Sequence, residues 1–239
     1  MSGAKITNAQ EETILRILAA METGRPDGDY GLISLIHDGE GDRLQVTLGI
    51  QFDEASGDLK KVLRLYQSRS GEAAPTLAPY VPKINTFATR AATVLGLDES
   101  FHELLRGLSS DPVMQKAQDD IFDQEAWAPA KAWADQNGFT LPLSLLVIAD
   151  SFLQSGSMLS FLRSRFVERV PARGGLEKSW IRAYVTVRHA WLKGSANAAL
   201  RTSSYRTRLY LSLLELQDWA LAESQYVVNG VEVKRSAIT

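Results

Sequence analysis

Helical periodicity dominates this chain and limits the folds that it can adopt. Apolar residues recur three and four positions apart through most of the sequence after residue 83, and Gly or Pro marks most of the breaks. With 239 residues, of which 45% are apolar, the chain can bury a sizeable core. We therefore predict a mainly α (α+β) protein, with helices at residues 83–95, 98–108, 111–137, 141–154, 157–169, 175–193 and 205–221.

The first predicted helix carries an acid where a helix is least favourable for one. Asn8 followed by Glu11 fits a capping box, and apolar residues recur at helical spacing until Gly24 ends the helix. Glu22 therefore lies in the last turn, beside the negative end of the helix dipole. That position disfavours ionisation and raises the pKa of a carboxyl group, and stability would favour Lys or Arg there.

A small β element is predicted near the N-terminus. Residues 30–37 can be extended, residues 46–52 alternate strictly between apolar and polar, and the turn DGEGDR lies between them. The turn fails as an EF-hand calcium loop, because Arg43 stands where Gly is required and Gly49 where Glu is required. Asp-Gly is common hairpin chemistry, so a turn with solvated acids remains the simplest interpretation.

Acidic and basic residues are unevenly distributed, although the net charge is only −2. Residues 27–59 carry eight acids and one base, whereas residues 160–210 carry eleven bases and two acids. Both segments can be solvent-exposed charged faces. Alternatively, the acidic segment lines a cleft that binds a cationic ligand. The arginine excess comes without a recognised nucleic-acid motif, so we expect no nucleic-acid partner.

Composition excludes several kinds of site. The chain has no cysteine, which rules out disulfides, thiolate metal sites and cysteine nucleophiles, and its three histidines are scattered. We expect no metal and no cofactor. The N-terminus lacks a basic leader before an apolar core, and no apolar run approaches about 18 residues. We therefore expect no signal peptide and no membrane contact. The protein would be cytoplasmic as synthesised, exported by a non-classical route, or the mature form of a secreted enzyme.

Glu22 and Asp38 together suit one type of reaction. Glycoside hydrolysis needs one carboxyl group that stays protonated and a second that stays ionised on the opposite face of the sugar. Glu22, at a helix C-terminus, suits the acid, and Asp38, in a polar glycine-rich turn, suits the base. The sixteen residues between them allow the chain to leave a helix, cross a strand and place the two groups across a groove.

The same residues resemble glycoside hydrolase family 46, the chitosanases related to lysozyme. The resemblance is carried by Glu22 at the end of the first helix, Tyr30, Asp38-Gly39-Glu40-Gly41 and the segment SGDL at 56–59. It continues through the helix around Asp150, the segment GGLEKSWIRAYVTVRHAWL and the tail TSSYRTRLYL, so that it covers nearly the whole chain.

The resemblance implies a lysozyme-like, two-lobed helical fold of one domain, residues 1–239, with a small β lobe at about 25–60 and a cleft between the lobes. It implies that Glu22 is the general acid and Asp38 the base of an inverting reaction, with Asp58 binding substrate. Tyr30 and Glu40 are further candidates for substrate binding. The resemblance also implies a buried aspartate and arginine behind the acid. Asp150 matches the first, and Arg206 or Arg208 is its expected partner, since a charge in an apolar run needs one.

Three departures from the family pattern affect the expected chemistry. Thr23 follows the acid where the family prefers Asn, Asp or Gln, and Glu40 stands where it usually has Arg or Asp. The threonine that positions the catalytic water has no match at its usual spacing. Thr47 is the nearest candidate, with Gln45 as the alternative.

We expect a monomeric enzyme that binds and cleaves β-1,4-linked aminosugar polysaccharides such as chitosan. Two alternatives stay open at this point. The first is a hydrolase of peptidoglycan, which the altered Thr23 and Glu40 allow. The second is a catalytically silent protein that keeps the fold for binding or assembly.

Overall fold

The computed structural model describes residues 6–39, 43–84 and 95–237 and, within these, every side chain except those of Asp38 and Arg43. The chain divides into two compact units. The terminal unit comprises residues 1–27 and 125–239, and the central unit comprises residues 28–124. Most of the β lobe predicted at about residues 25–60 falls within the central unit.

Most of the described chain is helical, as predicted. The helices are α1 (Asn8–Thr23), α2 (Asp58–Ser68), α3 (Ala74–Leu77), α4 (Glu99–Gly107), α5 (Pro112–Phe122), α6 (Ala128–Gln136), α7 (Pro142–Ser155), α8 (Ser160–Arg163), α9 (Glu177–Gly194), α10 (Ala198–Thr202) and α11 (Tyr205–Glu215). One π-helical segment (Asp123–Trp127) joins α5 to α6, so the helix predicted at 111–137 is confirmed. Most of the helix predicted at 83–95 lies outside the described residues.

Three antiparallel strands form the sheet near the N-terminus, in the order β1 (Ile33–Gly39), β2 (Arg43–Leu48), β3 (Phe52–Asp53). The predicted strand does not run unbroken to Phe52. It ends at Leu48, because Gly49 adopts a left-handed conformation with φ of +59° and turns the chain. The tip of the hairpin, residues 40–42, lies outside the described residues and includes Glu40.

Two further predictions need correction. The helix predicted at 157–169 is reduced to α8, because the Arg163 guanidinium donates hydrogen bonds to the backbone oxygens of Phe166 and Glu168 and stabilises an irregular segment. The structure also contains a second hairpin, β4 (Gln225–Val228) and β5 (Val231–Lys234), which the helical pattern does not predict. Its turn is Asn229-Gly230, both with positive φ.

Helix α1 ends where the sequence predicts, but its N-cap lies one residue earlier than predicted. Thr7, not Asn8, is the N-cap: its side chain accepts from the backbone of Gln10, whose own side chain accepts from the backbone of Thr7. At the other end Gly24 is left-handed and its amide donates to Ala20. Glu22 therefore lies in the last turn, as predicted.

Each unit has its own apolar core. In the central unit α2 packs against α5 and β3, and its buried residues share one apolar cluster with Val46 and Leu48 of the sheet. In the terminal unit every residue of α7 from Pro142 to Phe152 is buried, and α7 contacts α1, α6 and α9. Asp150 therefore lies inside the core of the terminal unit. No helix in the described part of the chain is both long and apolar enough to span a membrane.

Candidate active site

Glu22 is a nearly buried carboxyl group at the end of α1. Only 8% of its side chain is exposed. Burial raises the pKa of Glu22 above its ordinary value, and the nearby positive charge of Arg206 opposes that rise without cancelling it. The pKa is therefore raised as predicted, but the cause is burial and not the helix dipole on which the sequence argument rests.

Arg206, near the start of α11, contacts two carboxyl groups through one nitrogen. Its Nη1 lies 2.7 Å from Glu22 Oε1 and 2.7 Å from Asp150 Oδ1. Only the contact with Asp150 is aligned as a hydrogen bond, and Glu22 Oε1 accepts no aligned hydrogen bond from the described residues. Arg206 therefore holds Asp150 by an aligned hydrogen bond and Glu22 by a close ion pair.

Asp150 is fully buried and remains charged because two arginines neutralise it. Arg188 Nη1 donates to Asp150 Oδ2 at 2.6 Å, and Arg206 takes the other oxygen. Burial alone would raise the pKa of Asp150, but the charges and hydrogen bonds of Arg188 and Arg206 together hold it below its ordinary value. Gln154 fixes Arg188 in turn, since its Oε1 accepts from Arg188 Nη2 at 2.5 Å.

The structure selects between the two arginines predicted to pair with Asp150. Arg206 contacts it, whereas the guanidinium of Arg208 lies near Ser204 Oγ, at 3.5 Å. Residues two positions apart on a helix point about 200° apart around its axis, so Arg206 and Arg208 cannot both face the same buried group. Placing Arg208 in this cluster was wrong.

Arg188 is the member of the cluster that the sequence prediction missed. Its position carries a readable signal, because Trp180, Tyr184, Arg188 and Leu192 repeat every four residues along the buried face of α9. A charged residue at a core position of a helix requires a buried partner of opposite charge.

The other predicted site residues lie in the central unit. His37 pairs with Leu44 and Gly39 with Arg43, so Asp38 is the extra residue of a β-bulge at the end of β1. Thr47 lies on the middle strand, opposite Ser34 on one side and Asp53 on the other.

Tyr30 and Asp58 are each fixed by a charged or polar neighbour. The Tyr30 hydroxyl donates to Asp119 Oδ1 at 2.8 Å, and burial together with this carboxylate raises the pKa of Tyr30 to about 12. Asp58 is the first residue of α2, where the helix dipole favours a negative charge, and Lys61 Nζ lies 2.9 Å from its Oδ1.

Comparison with known families decides which kind of protein carries this cluster. Residues 16–223 match glycosyl hydrolase family 46. The chain belongs to that family. It is therefore a glycoside hydrolase, and the resemblance seen in its sequence is confirmed. Comparison with curated protein sequences yields no match.

Solved structures share the fold of this family 46 chain. A family 46 chitosanase of Gynuella sunshinyii in complex with chitotetraose has a TM-score of 0.82 and 23% identity, over 98% of this chain and 100% of that one. A mutant chitosanase of Bacillus subtilis complexed with GlcN has a TM-score of 0.78 and 20% identity, over 96% and 100%. The native Bacillus subtilis chitosanase has a TM-score of 0.77 and 21% identity, over 95% and 97%. At these identities the likeness shows the lysozyme-like fold.

The departure from the family pattern at Thr23 has a local structural explanation. Its hydroxyl donates to the backbone oxygen of Ala19 at 2.8 Å and accepts from the amide of Arg25 at 3.2 Å. Thr23 therefore stabilises the C-terminal end of α1 through its side-chain hydrogen bonds.

The structure brings together one part of the predicted site. Glu22, Asp150 and Arg206 form a single cluster in the terminal unit, whereas Tyr30, Asp38, Thr47 and Asp58 belong to the central unit. The predicted placement of the Glu22 and Asp38 carboxyl groups across a groove stays a prediction.

Charge is divided between the two units in the same way as along the sequence. The central unit holds 15 acidic and 9 basic residues, and the terminal unit holds 13 and 17, which gives formal charges of −6 and +4. Part of the acidic segment is structural, since Glu54 is buried and accepts from the amide of Val46. The excess of negative charge in the central unit is larger than this residue explains.

Proposed function

We propose that this chain is an inverting endo-hydrolase of β-1,4-linked aminosugar polymers such as chitosan, with Glu22 as general acid and Asp38 as general base. One observation carries the proposal: a family 46 chain buries Glu22 so that its pKa is raised, beside an Asp150 that two arginines keep charged. The departing sugar oxygen needs a proton donor, and a raised pKa favours the protonated form of the glutamate that would supply it.

The arginine pair suits the change of charge that proton donation causes. When Glu22 gives up its proton it becomes an anion, and Arg206 Nη1 is already 2.7 Å from Oε1. Asp150 and Arg188 keep Arg206 in that place. Arg206 is therefore already in place to stabilise the conjugate base of the proposed acid by charge.

In the same displacement, we assign Asp38 to the activation of the attacking water and Thr47 to holding that water. Asp38 is the extra residue of a bulge, and bulges are frequent beside active sites. An inverting mechanism requires the two carboxyl groups to lie about 6.5–9.5 Å apart, with a water between the base and the sugar.

The substrate class follows from charge and from the neighbours. The neighbouring chitosanases bind chitotetraose or GlcN. A central unit with a formal charge of −6 attracts a polymer of ammonium groups. We assign Asp58, Tyr30 and Glu40 to substrate binding on this basis.

Hydrolysis by wild type beside Glu22→Gln and Asp38→Asn tests the proposal. Each substitution keeps the size of the side chain and removes one proton transfer, so we expect losses of about 10²–10⁴-fold in kcat on chitosan. Glu12→Gln and Asp135→Asn change exposed acids of the terminal unit and should retain full activity.

Parallel digests separate the alternatives. Cleavage of peptidoglycan but not chitosan by wild type would reject the proposed substrate. Titration calorimetry with a chitosan hexamer completes the test, because binding without cleavage of either polymer would identify a silent protein that keeps the fold.

A further inference from the structure

Helix α11 contacts the end of α1 through two successive residues. The Tyr205 hydroxyl donates to the backbone oxygen of Met21 at 2.5 Å, and the next residue, Arg206, contacts the carboxyl group of Glu22. Met21 and Glu22 are themselves successive. One turn of α11 thus fixes both the backbone just before the proposed acid and its side chain.

The hydrogen bond from Tyr205 replaces one that a helix cannot make for itself. The last four carbonyl groups of a helix lack partners within it. In α1 the amide of Gly24 satisfies Ala20, and Met21 is satisfied by Tyr205 from another helix. Without this bond the last turn of α1 would lose a fixed point next to Glu22.

Tyr205 also belongs to the charged surroundings of Glu22. Among the described residues, the titratable groups that act on Glu22 are Tyr205 and Arg206 from α11, Asp150 from α7 and Arg188 from α9. The Tyr205 ring is partly buried, and the guanidinium carbon of Arg206 lies 5.7 Å from its centroid. The ring therefore lies beside the pair formed by Arg206 and Glu22.

We propose that Tyr205 is a positioning residue for the general acid: its hydroxyl, bound to the Met21 carbonyl, holds the end of α1 so that the Glu22 carboxyl group stays buried against Arg206. The inference rests on the proposed role of Glu22. It predicts that Tyr205 affects the chemical step more than substrate binding, because the bond is made to the helix that carries the acid.

Tyr205→Phe removes the hydroxyl and keeps the ring. Misplacing a catalytic group by about 1 Å can cost 10²-fold, so we expect kcat on chitosan to fall roughly 10- to 100-fold with KM nearly unchanged. Water entering at a loosened helix end weakens the desolvation that raises the pKa of Glu22. The alkaline limb of the pH profile should therefore move to lower pH, and so should the Glu22 titration followed by ¹³C NMR.

The matched control is Tyr226→Phe, which removes a buried hydroxyl that donates to Asp218 Oδ2 at 3.1 Å in the same unit. It should lower the melting temperature but leave kcat and the pH profile as in wild type. Equal effects of the two substitutions, or a Glu22 titration unchanged in Tyr205→Phe, would overturn the inference. If wild type does not cleave chitosan, the proposed function fails, whereas the NMR titration still tests the role of Tyr205.

Discussion

Asp150→Asn is the substitution that should disturb the buried cluster most directly. The carboxylate accepts from Arg188 at one oxygen and from Arg206 at the other, at 2.6 and 2.7 Å. Asparagine offers one oxygen and one NH₂ group, so one guanidinium would face a donor. Two buried arginines would also lose the charge that neutralises them.

The size of the effect follows from the geometry. Removing one partner of a buried ion pair costs about 3–5 kcal/mol, because the remaining charge stays buried. For a chain of this length each kcal/mol lowers the melting temperature by about 2–4 °C, so we expect a fall of roughly 6–20 °C. Urea unfolding, followed by tryptophan fluorescence, measures the free energy directly.

The same substitution should change the acid. Asp150 raises the pKa of Glu22 through charge repulsion, so its removal lowers that pKa and moves the alkaline limb of kcat/KM to lower pH. Asp218→Asn is the control, since this buried carboxylate accepts from the Ala222 amide and the Tyr226 hydroxyl. A loss below about 1 kcal/mol in Asp150→Asn, or an unmoved limb, would refute the reasoning.

Three further predictions follow from other contacts. Because burial raises the pKa of Glu22 above its ordinary value of 4.5, the folded state loses stability as pH rises above that value. Glu22→Gln should therefore be more stable than wild type at neutral pH and lose this advantage in acid. Equal unfolding curves of the two proteins at pH 7 would contradict this prediction. Gly49→Ala should lower the free energy of unfolding in urea by about 1–3 kcal/mol, because φ is +59° and the new Cβ would lie 2.3 Å from Gln118 Oε1. Gly107→Ala is the control and should not destabilise the protein, because no atom lies within 4 Å of its new Cβ. The KM for chitosan should rise between 50 and 500 mM NaCl, since salt screens the charge of the central unit, and a salt-independent KM would remove the electrostatic argument.

The sequence predicted those parts of the structure that depend on local patterns. Apolar spacing predicted α1 with Glu22 in its last turn, and an acid in the apolar run of α7 predicted that Asp150 has an arginine partner. These predictions succeeded because helical periodicity fixes which residues face the core. The N-cap was displaced by one residue, since Thr7 and Asn8 both have side chains that can cap.

The failures come from contacts between segments distant in sequence or from turn geometry. Nothing in the local pattern distinguishes Arg206 from Arg208 as the partner of Asp150, because that depends on how α11 is rotated against α7. The irregular segment after α8 depends on side-chain bonds from Arg163. The C-terminal hairpin, by contrast, was readable, since Asn229-Gly230 between alternating apolar residues is a strong hairpin signal.

The anomeric configuration of the first product tests the central claim most directly. If Glu22 protonates the departing oxygen while Asp38 activates water on the opposite face, cleavage of a β-linked chitosan hexamer must release the α-anomer first. Proton NMR of the fresh digest, recorded before mutarotation, should therefore show the α signal growing ahead of the β signal. A β-anomer formed first would mean retention, and Asp38 could not act as the base proposed here.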